Sequence, residues 1–130
     1  MPLKFDLTLN AQPVDFGNGE EYVLLELTGT QRDAHMNDVN GRVKNGRITD
    51  FANLQCNLIA KALRKVVPEG EKGAAPVTVL YEGEDEPTTI HVRAVAVATI
   101  AAYPSRVQRA LHDAARKMSG MEEEEEEGND

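Results

Sequence analysis

Leu3, Phe5, Leu7 and Leu9 alternate with Lys4, Asp6 and Thr8. A period of two predicts a half-buried strand over residues 3–9. Pro13 and the run Phe16-Gly17-Asn18-Gly19 break that pattern as a turn would. A second apolar run, Glu21 to Leu27, predicts the partner strand of an N-terminal β-hairpin. Thr28 and Gln31 then stand in capping-box spacing, which marks a helix start, and Asp33 is placed to suit the positive helix end. The apolar stripe of this helix is thin: Ala34, Met36, Val39 and Val43, interrupted by Gly41. Asn45-Gly46 reads as its stop, and most of its surface is expected to be exposed.

Thr49-Asp50 is placed to cap a second helix, Phe51 to Val66. Phe51, Leu54, Leu58, Ile59, Ala62, Leu63 and Val66 recur at spacings of three and four. This is the best apolar face in the chain and the expected centre of the core. Arg64 and Lys65 would sit in its last turn, against the negative end. Val77 to Tyr81 and Thr88 to Val92 predict a second hairpin, at 77–92, around the charged run Glu82 to Pro87. A short helix is expected after Val95. Pro104 opens a last helix, which carries Val107, Leu111, Ala114, Ala115 and Met118 on one face and stops at Gly120. The expected architecture is α+β: one small domain over residues 1–120, with an N-terminal β-hairpin and three to four helices. A disordered acidic tail is expected over 121–130.

Charge sharpens that boundary. Residues 121–130 hold seven acids and no base, so the chain's −8, less these seven, leaves −1 for residues 1–120. The acidity belongs to an appendage. Such a run keeps a protein soluble or engages a basic partner. With no Trp, three Phe and three Tyr, the core must rest on Leu, Val, Ile and Ala. One cysteine excludes an internal disulfide and suits a reducing compartment. No basic-then-apolar leader precedes the first strand pattern, and no apolar run approaches the roughly 20 residues a membrane span needs. A soluble cytoplasmic protein is expected.

Candidate chemistry is sparse. His35, His91 and His112 lie far apart in sequence without neighbouring cysteines, unlike structural zinc spacing, and are expected at surface or edge positions. Cys56 sits among Leu54 and Leu58 and reads as a buried inert thiol. Gly17-Asn18-Gly19 lacks the Lys-Ser/Thr of a phosphate loop. No Ser, His and Asp arrangement stands out, so no catalytic, cofactor or metal residues are assigned and no enzyme is expected. The basic residues are scattered without interleaved aromatics, which argues against nucleic-acid binding.

Three segments carry a family resemblance. Glu26-Leu27-Thr28-Gly29-Thr30-Gln31-Arg32-Asp33 resembles the E-L-T-x-x-x-R-D opening of tail assembly chaperones of long-tailed bacteriophages. Arg42 to Gln55, with Asp50-Phe51-Ala52-Asn53-Leu54-Gln55, resembles that family's entry into its second helix. Pro104 to Met121 resembles the family's closing helix, which precedes an acidic end. Together these segments cover about half the chain, in the right order. Members of the family are mostly helical, whereas residues 77–92 here read as a hairpin.

The resemblance implies a non-enzymatic role in the host cytoplasm, with the protein absent from the mature virion. Such chaperones coat the tape measure protein and are displaced by tail tube subunits. A minority form, extended by ribosomal frameshifting, recruits tail tube protein. Self-association along the partner would make many weak contacts strong in sum. Candidate partner-binding residues are Met36, Val39 and Val43 on the first helix and Val107, Leu111, Ala114 and Met118 on the last. The competing reading is that both stripes are core. Functional competitors are a structural virion component (tail tube, tail terminator or head–tail connector subunit) and an acidic mimic of nucleic acid.

Overall fold

The computed structural model describes residues 2–5 and 7–121. Eleven elements follow along the described chain: β1 Leu9–Val14, β2 Tyr22–Leu25, α1 Gly29–Gly41, β3 Val43–Lys44, β4 Arg47–Ile48, α2 Phe51–Ala62, β5 Leu63–Val66, β6 Ala75–Tyr81, β7 Thr88–Ala94, α3 Val97–Ala101 and α4 Ser105–Met118. This is a small α+β fold. Five strands close into a barrel in the order β1-β2-β5-β7-β6, and β3 with β4 makes a separate two-stranded ribbon. The barrel is antiparallel throughout except where β1 meets β6 in parallel.

Strand alternation divides the apolar residues into two cores. Ala11, Val23, Leu25, Val79 and Val92 form one cluster, drawn from four strands and joined at its margin by Val66 of the fifth. They fill the barrel interior, where small and β-branched side chains suit so narrow a lumen. Leu24 and Leu63 point the other way and join Cys56, Ile59, Ala62, Val95, Ile100, Leu111 and Ala115 beneath the helices. The helical layer therefore packs on the outside of the barrel.

The two expected hairpins exist, but the first is displaced. The strand predicted over residues 3–9 runs from Leu9 to Val14, and Leu3, Phe5 and Leu7 precede it as exposed side chains. Pro13, expected to break the strand, lies within it. The Asn10 carbonyl accepts from the Glu26 N–H, so even-numbered residues of β1 face β2 and Pro13 faces β6. The β6 ladder has ended by then, at Ala11 opposite Tyr81, so the missing N–H costs no bond.

The larger correction concerns the helix predicted from Phe51 to Val66. It stops at Ala62, and Leu63 to Val66 become β5, between β2 and β7. Arg64 and Lys65 are thus strand residues, and Lys61 is the base in the helix's last turn. Two flanking ladders outweigh the helical periodicity of four residues. This one strand turns two hairpins into a closed barrel. Phe51, expected in the core, lies exposed at the helix start.

Other local signals resolve differently. Thr28 and Gln31 form the expected capping box, but Asp33 falls beyond the first turn, which holds no acid. Helix α1 ends at Gly41, and Asn45-Gly46 is instead the turn of the β3–β4 ribbon. Both residues have positive φ, 53° and 76°, as a tight type I′ turn requires. Asp50 holds the N-cap position of α2 in a left-handed conformation without capping through its side chain. Pro104 is the N-cap of α4 and not its first helical residue. At the other end Gly120 has φ +70°, its N–H donates to the Lys117 carbonyl, and the Met121 N–H donates to Arg116. These bonds make a Schellman close. It buries Met121, which had been assigned to the tail. The acidic run Glu122 to Asp130 and Asp6 lie outside the described residues.

Candidate partner-binding surface

The two nominated stripes separate cleanly. On α4, Leu111 is buried in the helical core, and Val107, Ala114 and Met118 are half-buried against it. That face belongs to the core, as the competing reading held. Ala114 and Met118 also line an open groove of about 620 Å³ together with Ala11, Leu80 and Tyr81 at the barrel rim. On α1 and the ribbon, Met36 is 36% exposed and Val43 43% exposed, with Val39 half-buried between them. The α1 stripe is therefore largely surface.

The structure adds two residues to that surface. Val43 pairs directly with Ile48 across the ribbon, so their side chains share one face, and Phe51 follows three residues on. Ile48 and Phe51 are 42% and 45% exposed. Pattern reading assigned Phe51 to the core and passed over Ile48. The missed signal was Asn45-Gly46 between two short apolar-containing pairs, a hairpin mark.

Ion pairs hold this ribbon at its base. The Arg42 guanidinium donates from Nε to Asp38 Oδ1 at 2.7 Å and from Nη1 to Asp50 Oδ2 at 2.6 Å. Thr49 closes the neck, donating its N–H and its hydroxyl to the Arg42 carbonyl at 2.7 and 2.8 Å. Burial pushes the Asp38 carboxyl up, but hydrogen bonds from Arg42 and Asn57 outweigh it and hold the group below its ordinary value. Asp50 is held low by hydrogen bonds from Asn53 and then Arg42. The clasp joins the end of α1 to the start of α2 and presents Val43 and Ile48 away from the body.

Beneath α1 lies an unexpected feature. His35 and His112, expected at the surface, are both buried, while His91 is half-buried on β7. Burial pushes the His35 imidazole down to about 4, aided by the nearby charges of Lys61 and His112. Its Nδ1 has no hydrogen-bond partner. The Phe51 ring packs edge-on against His112 with centroids 5.6 Å apart. Cys56 is buried as expected, and burial pushes its thiol up, which disfavours the thiolate a nucleophile requires. Among the described residues no group of three His, Cys, Asp or Glu side chains converges as metal ligands do. No described helix is long and apolar enough to cross a membrane. The arrangement offers an apolar contact surface with a pinned backbone.

No family model, curated protein or solved structure matches this chain.

Proposed function

We propose that this protein is a tail assembly chaperone. In that role it binds and solubilises the tape measure protein during phage tail morphogenesis, until tail tube subunits displace it. The observation that carries the reading is the exposed apolar row Met36, Val43, Ile48 and Phe51 beside a small barrel whose core is already complete. A row of four separated side chains makes a weak contact, and repetition along a long helical partner makes it strong in sum. Weak individual contacts also permit displacement. The sequence resemblance in the segments around Thr28, Phe51 and α4 supplies the identity of the partner. On this reading the protein works in the host cytoplasm, associates with itself along the partner and is absent from the mature virion. A frameshifted longer form would recruit tail tube protein.

The test is co-expression with the tape measure protein of the same genome. Val43→Asp with Ile48→Asp is expected to leave a folded protein and an insoluble partner. A partner held soluble by that variant refutes the assignment of the surface. The second reading, a structural virion component, gains from the three exposed apolar side chains ahead of β1, which suit permanent docking to a neighbour. Mass spectrometry of purified virions separates the two, since a chaperone is lost from the particle and a tube, terminator or connector subunit stays.

A further inference from the structure

The segment ahead of β1 is where pattern and packing disagree most. Leu3, Phe5 and Leu7 alternate with polar residues as in a half-buried strand, yet they are 83%, 80% and 91% exposed. We propose that this segment docks as an added strand on the β3–β4 ribbon of a second copy of the chain.

The acceptor follows from the open strand edges. A closed barrel leaves few, and among the described residues two remain. The first is the opening half of β6, Ala75 to Thr78, which pairs with β7 alone. There the His91 carbonyl accepts from the Val67 N–H, so His91 turns its backbone groups toward β5. Pro76, opposite His91, therefore faces the open edge, where it has no N–H to offer an incoming strand.

The second edge is the ribbon. The Thr49 N–H donates to the Arg42 carbonyl, which makes Arg42 and Thr49 a bonded pair. The next pair, Val43 and Ile48, is then the non-bonded kind, and its backbone N–H and C=O groups point outward along both edges. Its side chains form an apolar face. A two-stranded ribbon is marginal alone, and a third strand with its own apolar row is the natural completion.

Reach decides between the chain's own ribbon and another's. The Glu26 N–H donates to the Asn10 carbonyl at 3.0 Å, which fixes Asn10 near the start of α1. The ribbon begins beyond the far end of that helix, about 20 Å away for its 13 residues. Counting back from Asn10, extended chain carries Leu7 at most about 11 Å and Phe5 about 18 Å. The row as a whole stops short of its own ribbon, while a second copy's ribbon is open to it.

The test uses the chain alone, so its failure is distinct from failure of the chaperone reading. Sedimentation across the micromolar range is measured for the wild type, for a donor variant (L3S, F5S, L7S) and for an acceptor variant (V43S, I48S). All five side chains are exposed, so both variants are expected to fold, and thermal melts check this. The wild type is expected to associate. Each variant is expected to be monomeric, with its dissociation constant weakened at least about a hundredfold. An equimolar mixture is expected to form a heterodimer, because the first variant keeps its ribbon and the second its arm. A wild type that stays monomeric, a variant that still associates alone, or a mixture that stays monomeric overturns the proposal.

Discussion

Replacing His35 by Leu tests the electrostatics beneath α1 with a worked magnitude. The imidazole is 4% exposed, and its folded-state value of about 4 lies below the ordinary 6.5. A base whose folded value is depressed binds its proton more readily in the unfolded chain. Its contribution to stability is therefore complete above pH 6.5 and is lost as the pH falls toward 4. The full gap of about 2.5 units corresponds to about 3 kcal/mol. Between pH 7 and pH 5 the expected loss is about 2 kcal/mol. The Asp38 carboxyl, held below its ordinary 3.8, loses its share only at lower pH and does not confuse this window. Urea unfolding of wild type and His35→Leu at several pH values measures the difference. The wild type is expected to fall by about 2 kcal/mol more than the variant from pH 7 to pH 5. The variant also removes the unpartnered Nδ1 and should be at least as stable at pH 7. Parallel curves, agreeing within about 0.5 kcal/mol, would show that His35 is solvated or paired in solution and that the buried-neutral argument is wrong.

Three further outcomes are expected. Leu111→Ala removes a buried side chain from the helical core and should cost about 2–5 kcal/mol in chemical denaturation, whereas a cost near zero would return Leu111 to the surface. Thr28→Ala breaks both halves of the capping box and should cost about 1 kcal/mol, read as a lowered melting temperature with the fold retained. Expressing the gene with its downstream DNA and an N-terminal tag, then weighing every tagged product, should give a second, longer chain sharing residues 1 to about 120; a single product would end the frameshift proposal and strengthen the structural-subunit reading.

Sequence alone determined the features whose causes are local. The capping box at Thr28 and Gln31 needs only a hydroxyl and an amide three residues apart. The β6–β7 hairpin needs two short β-branched runs around a charged turn, and α4 needs its stripe, its proline and its closing glycine. The exposed character of α1 was likewise legible in its thin stripe, which is why Met36 and Val43 were nominated correctly. What the tertiary structure decided was every assignment that depends on a distant partner. Leu63 to Val66 continue the helical period of α2, yet they lie between β2 and β7, strands far from them in sequence, and no local signal announces that pairing. The position of β1 depends on where β6 runs beside it, and the tolerance of Pro13 depends on where that ladder stops. The α4 stripe and the α1–ribbon row look alike as patterns. One is covered by α2 and β2 and the other by nothing among the described residues, and burial is a property of the neighbours, which hydrophobic periodicity does not name.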